Sequence, residues 1–218
     1  MQNLTIDIVS DIACPWCAIG YARLEQALAA LEGEVGAKVE WHAFELNPDP
    51  AQRPMPIVEA LCRKYGRNEV EVRAAQDDMI RIATGLGLNF THMQERYTAN
   101  TFDGHRLVKW AAEHDRQTAM KQALFDAYFG EAKDVSNRDV LLDAVCAAGL
   151  DAAEAKQVLT SDRFADIVRA DEAHWQQAGI SSVPAFVING QYLISGAQEP
   201  DYLVQALREI AGRQGASA

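Results

Sequence analysis

Cys14-Pro15-Trp16-Cys17 is the stretch of this chain best suited to covalent chemistry. Two intervening residues bring both sulfurs to within one helical turn, so either can attack a disulfide formed at the other. The residues before them, Leu4, Ile6, Ile8 and Ile12 around Val9, alternate as a short strand does and give way at Ser10-Asp11. Those after Cys17 place Ile19, Leu24, Leu28 and Leu31 on one helical face. The motif therefore falls where a strand ends and a helix begins. Free N–H groups and the positive end of the helix dipole favour a thiolate there and lower the pKa of the leading thiol. Cys14 is the expected nucleophile, and Cys17, further inside, the group that resolves a mixed disulfide. Pro15 suits a first helical turn, where its missing N–H has no intrahelical partner. Trp16 offers an exposed aromatic surface beside the sulfurs. Half of a zinc site and an inert pair are the competing uses, but a tetrahedral site needs a second ligand pair. The sequence holds no second Cys-x-x-Cys and no His-x-His. Cys62 and Cys146 fall on apolar helical faces and are expected to be buried and inert.

The elements that position this motif can be read outward from it. A second strand pattern runs through Val39, Trp41, Ala43, Phe44 and Leu46 to Asn47-Pro48-Asp49-Pro50, with Gly33 or Gly36 closing the helix before it. Strand, redox loop, helix and strand make a βαβ unit with parallel strands. From Pro56 to Leu159 every periodic segment is helical: 57–65, 70–86, 103 or 104 to 114, 118–129, 138–148 and 152–159, followed by 163–177. Strand character returns at 185–188, turns at Asn189-Gly190 and runs back through 192–194. A last helix spans Pro200 to about Ala211, and the tail Gly215-Ala216-Ser217-Ala218 is expected to lack order. The expected fold is α/β: a sheet domain from residues 1–50 and 161–218, interrupted by an all-helical insertion, 51–160.

Bulk composition narrows the function. With 218 residues, 49% hydrophobic and 23% charged, the chain can fill a core without disulfide staples. A formal net charge of -11 argues against nucleic acid and against anionic membrane surfaces. No apolar run approaches the ~20 residues of a transmembrane helix. The start, Met1 to Asp7, lacks the basic and apolar segments of a secretory signal, so a cytoplasmic location is expected. In a reducing compartment a close cysteine pair points to redox or metal chemistry.

Ser182-Val183-Pro184-Ala185-Phe186 opens the late strand with a proline, a position where proline costs no ladder bond. A Cys-x-x-Cys after the first strand with a Val-Pro before a late hairpin resembles the thioredoxin superfamily, and the helical insertion resembles its DsbA-like branch. Further likenesses are to the cytoplasmic FrnE-type subgroup. They are Ser10-Asp11 and Gly20 around the cysteines, Asn100 and His105-Arg106-Leu107, and Leu124-Phe125 with Tyr128-Phe129. Gly179-Ile180 and Ser195-Gly196-Ala197-Gln198 complete them. Kappa-class glutathione transferases and 2-hydroxychromene-2-carboxylate isomerases belong to the same relations. They generally carry serine in place of Cys14, a difference that favours dithiol chemistry here.

The resemblance implies a thioredoxin-like fold, a cis bond before Pro184, packing of that proline on the cysteines, and backbone groups of Val183 that pair with an extended substrate. It implies a thiol–disulfide oxidoreductase or disulfide isomerase acting on protein or small-molecule thiols, without metal or tightly bound cofactor, and with glutathione as redox partner or co-substrate. A monomer or a homodimer would serve. The alternatives are a glutathione-dependent isomerase or transferase of small aromatic or polyketide-type molecules, and a non-catalytic binding module. Asp11, Asn100, His105 and Gln198 are the candidate cleft residues. Asp11 also fits a cap or turn, His105 a structural or substrate-shaping role, and Gln198 a helix-start residue. His42, His92, His114 and His174 carry no such signal, and Trp110, Phe125, Tyr128 and Phe129 recur at core spacing. Ile8 stands where thioredoxin has its buried acid, so the group that deprotonates Cys17 is left open.

Overall fold

The computed structural model describes residues 2–49, 51 and 53–215. β1 (Gln2–Ser10) lies inside a four-stranded sheet of order β2-β1-β3-β4. It pairs in parallel with β2 (Val35–Ala43) and antiparallel with β3 (Ala185–Ile188), which pairs antiparallel with β4 (Tyr192–Ser195). The two inner strands meet protein on both sides near the site. All four residues of β3 are buried, as is the end of β1 from Ile8 to Ser10. Ile8 sits between Trp41 and Phe186, which anchors the register just before the cysteines.

Between β1 and β2 runs α1 (Pro15–Ala30), with Cys14 as its N-cap and Pro15 in its first turn. Gly33, at φ 83°, turns the chain back toward the sheet. The helices that follow are α2 (Ile57–Tyr65), α3 (Glu69–Gly85), α4 (Phe102–Ala112), α5 (Gln117–Phe125), α6 (Arg138–Ala147), α7 (Ala152–Leu159) and α8 (Ala165–Gln177). After the hairpin, α9 (Pro200–Gly215) closes the chain. One hydrophobic core runs without a break from Ile8 and Phe186 through Trp41 and Phe125 to Leu141 and Val158.

Several expected boundaries differ from those observed. β2 begins at Val35 and stops at Ala43, because the Leu46 N–H leaves the ladder to bind the Asp11 carboxylate at 2.7 Å. Helix 118–129 is not uniform: after α5, Asp126–Gly130 widens into a π-turn that brings the Tyr128 hydroxyl to the Tyr97 carbonyl at 2.8 Å. α9 continues to Gly215, and Ala216, Ser217 and Ala218 of the expected tail lie outside the described residues. Cys146 is exposed and Cys62 half-buried, whereas the apolar spacing placed both in the core. Cys62 sits at the margin of the buried face of α2, and Cys146 on the solvent side of α6, away from Leu141, Ala144 and Val145.

Candidate active site

Cys14 and Cys17 sit at the head of α1 as free thiols. The turn that holds them is built by the backbone: Cys14 N–H donates to the Asp11 carbonyl at 3.2 Å, and Cys17 N–H to the Cys14 carbonyl at 3.0 Å. Cys14 is 6% exposed and borders a cleft, while Cys17 has no exposure. Their chemistry divides accordingly. A hydrogen bond from Cys17, with backbone N–H groups of Cys17 and Trp16, holds the Cys14 thiol below its ordinary range against burial. Burial pushes the Cys17 thiol well up, and the hydrogen bond it gives to Cys14 adds to the rise. One sulfur is thus prepared to be a thiolate and the other to keep its proton.

The far wall is the loop before β3. The Val183–Pro184 bond is cis, and the Val183 carbonyl oxygen lies 3.7 Å from the Cys14 sulfur. Gly20 lets this wall close on α1. A Cβ there would stand 3.1 Å from Phe186, 3.2 Å from Pro184 and 3.3 Å from Ala197.

Above Cys14 opens a cleft of about 740 Å³ between the sheet edge and the helical block. Cys14, Pro15, Trp16 and Val183 border it on one side, and Leu46, Ile57, Leu61, Val72, Met79 and Met93 give it an apolar lining. Trp16 is 38% exposed at its edge. Lys64, Arg67 and Arg96 bring positive charge, against one carboxylate, Glu45, which Arg169 and Asn100 already engage. Arg96 is buried, with its guanidinium over the rings of Tyr128 and Phe129 and bonds to Gln76 and the Met93 carbonyl.

None of the four candidate cleft residues lines this cleft. Asp11 lies beneath it, fully buried, and accepts from Ala13 N–H at 3.2 Å, Leu46 N–H at 2.7 Å and the Thr101 hydroxyl at 2.8 Å. His105 lies beside it, with Nε2 3.4 Å from the Asp11 carboxylate and 3.1 Å from the Phe44 carbonyl. A carbonyl accepts only, so Nε2 carries the proton; burial holds the ring's pKa below the ordinary value. Asn100 braces Glu45 and the Asn47 carbonyl. Gln198 is exposed and folds back onto the Ser195 carbonyl at 2.8 Å.

Lys121 is the site-adjacent residue that no motif announced. A lysine in an amphipathic helix ordinarily faces water, yet this one is completely buried, its ammonium 3.4 Å from the Ser10 carbonyl. The only hint in the sequence is its place between Met120 and Leu124-Phe125.

A strand, a Cys-x-x-Cys helix head and a cis-proline loop beneath a helical cap define a class, and the chain belongs to it: residues 5–208 match the DSBA-like thioredoxin domain family. Among solved structures it is similar to a probable DsbA oxidoreductase from Streptomyces coelicolor. That pair shares 37% identity with a TM-score of 0.89, over 96% of this chain and 90% of the other. The cytosolic disulfide reductase DsbM from Pseudomonas aeruginosa, solved with GSH, shares the fold at 19% identity and a TM-score of 0.62, over 96% and 98%. YwbO of Bacillus subtilis, an uncharacterized protein, is 28% identical over 95% of this chain and 98% of its own length.

Proposed function

We propose that the protein is a thiol–disulfide oxidoreductase working through Cys14 and Cys17. The supporting observation is the division between two free thiols at one helix head, one lowered and bordering a cleft, the other sealed and raised. In the reducing direction the Cys14 thiolate attacks a substrate disulfide, and one substrate sulfur leaves as a thiolate. The Cys17 sulfur then attacks Cys14, closing the Cys14–Cys17 disulfide and releasing the second substrate thiol. Oxidation is the same sequence reversed. Pro15 and Trp16 shape the rim, and the Val183 backbone and Pro184 form the docking edge for an extended substrate.

The same cleft suits a small anionic thiol. Its volume lies in the range of small-molecule sites, and its three cations exceed its one compensated carboxylate. Glutathione, which carries two carboxylates, is the redox partner that fits this chemistry, and the GSH in the DsbM structure is consistent with it. A cytoplasmic location accords with this partner; among the described residues no helix is long and apolar enough to cross a membrane.

Trapping is the deciding experiment. Cys17→Ser should accumulate a mixed disulfide on Cys14, and mass spectrometry should identify what is attached. Cys14→Ser should abolish insulin reduction and the reduction of glutathione disulfide. Unchanged turnover in Cys14→Ser would remove the proposal. The cleft's apolar lining also favours a second reading, a glutathione-dependent isomerase of a small molecule, for which turnover would survive Cys17→Ser.

A further inference from the structure

We propose that Lys121, delivered from the helical block, is the positioning residue that makes the Cys17 sulfur available as a thiolate. The proposal rests on the dithiol reading above.

The geometry starts from an unusual burial. α5 carries the Lys121 side chain into the core, where it is 0% exposed. Its ammonium donates to the Ser10 carbonyl at 3.4 Å and lies 5.4 Å from the ring centroids of both Trp41 and Phe125. Among the described residues no carboxylate comes within ion-pairing distance of it. A cation so placed is costly to keep, and an apolar side chain of similar length would fill the space more cheaply. The position therefore calls for a reason beyond packing.

The peptide group between Ser10 and Asp11 supplies that reason. Its oxygen accepts from Lys121, and the Asp11 backbone at its other end favours the thiolate form of Cys17 against burial. A cation at the carbonyl draws electron density across the amide and strengthens its N–H as a donor. Lys121 acts on the sulfur through this peptide and through the low dielectric around it, without touching it.

The titratable and charged groups facing Lys121 are Cys14 and Cys17 at the head of α1, Asp11 before it, and His105 and Lys109 from α4. Asp11 repels a thiolate, His105 is held neutral, and Lys109 is already paired with Asp171 at 2.7 Å. Lys121 is thus the cation whose charge favours a Cys17 thiolate, and among the described residues it has no carboxylate partner of its own. Burial brings its pKa down to about 8, so its charge changes in the range where thiols titrate. Without it the sealed thiol has the Asp11 backbone and no cation to offset desolvation.

The test uses the full chain loaded at Cys14 with thionitrobenzoate as a mixed disulfide. Cys17 attacks the Cys14 sulfur, the bond to thionitrobenzoate breaks, its electron pair leaves with the coloured thiolate, and the Cys17 proton passes to solvent. In K121M the release should slow about tenfold at pH 7, with its pH profile displaced upward by about one unit. K121R should hold the profile near that of the wild type, and K121M should unfold no earlier. An unchanged profile in K121M overturns the proposal. If K121M fails to fold, the ammonium of Lys121 can be titrated by NMR in reduced wild type and in Cys17→Ala. A higher pKa with Cys17 present supports the proposal, and identical titrations overturn it. If thionitrobenzoate never attaches to Cys14, the dithiol reading fails and takes this inference with it.

Discussion

The Asp11 carboxylate gathers an N–H from Ala13, an N–H from Leu46 and the hydroxyl of Thr101, so three separate segments meet at one side chain beneath the cysteines. Burial opposes its charge, yet His105, the Leu46 N–H and the Thr101 hydroxyl outweigh that and hold the carboxyl below its ordinary value. A depressed folded pKa contributes stability that is present above the unfolded value of about 3.9 and is lost as pH falls through the folded one. Asp11→Asn should cost about 2–4 kcal/mol near neutrality, because the donors lose a charged acceptor. Urea unfolding at pH 7 and pH 3 checks this: the gap between variant and wild type should narrow in acid. Gly20→Ala should cost about 1–3 kcal/mol, since its methyl would crowd Pro184 and Phe186. It should also slow thiol exchange, as the Val183 wall is pushed from Cys14. Asp11 was legible as a turn residue from its place before the motif. Its buried partners were not, because Leu46 and Thr101 reach it from 35 and 90 residues away.

Among the elements, α8 is tied to the sheet by His42. One ring nitrogen lies 2.7 Å from Asp171 on α8, the other 2.9 Å from Asp7 on β1, and Lys109 reaches Asp171 at 2.7 Å. Asp7, Glu40 and His42 also bring ligand atoms within 4.8 Å of one another, but both His42 nitrogens are already engaged. Burial opposes the imidazolium, yet Asp171 and Asp7 outweigh it and raise the His42 pKa. Its stability contribution is therefore complete below the unfolded value of about 6.5 and is lost as pH rises through the raised folded value. His42→Gln should be destabilised relative to wild type at pH 6, with the difference shrinking toward pH 9 in thermal unfolding. Most elements were legible from their apolar periodicity, and the hairpin from Asn189-Gly190. The structure adds the caps that hold two of the helix heads: Asn68 and Glu71 form a capping box on α3, and Asp151 caps α7. The end of β2 and the π-turn after α5 were not legible, since distant groups decide them: the Asp11 carboxylate for one, the Tyr97 carbonyl for the other.

At the scale of the molecule, the strands and the helical block share one apolar interior. The helical block that interrupts the sheet is therefore expected to unfold together with it. Thermal or urea unfolding should accordingly show coincident transitions by near-ultraviolet and far-ultraviolet circular dichroism, and two resolved transitions would contradict the shared interior. The broad α/β plan was legible from the sequence because strand patterns occur only at its ends. The depth to which Trp41 and Lys121 are enclosed was not, since β2, α4 and α5 must assemble before either is covered. That enclosure has a kinetic consequence. Under the proposed dithiol chemistry, with Cys17 shut off and Cys14 bordering the cleft, the electron donor and the electron acceptor would share one doorway and use it in turn. Varying both substrates should give parallel lines in a double-reciprocal plot, and either substrate in excess should block the other.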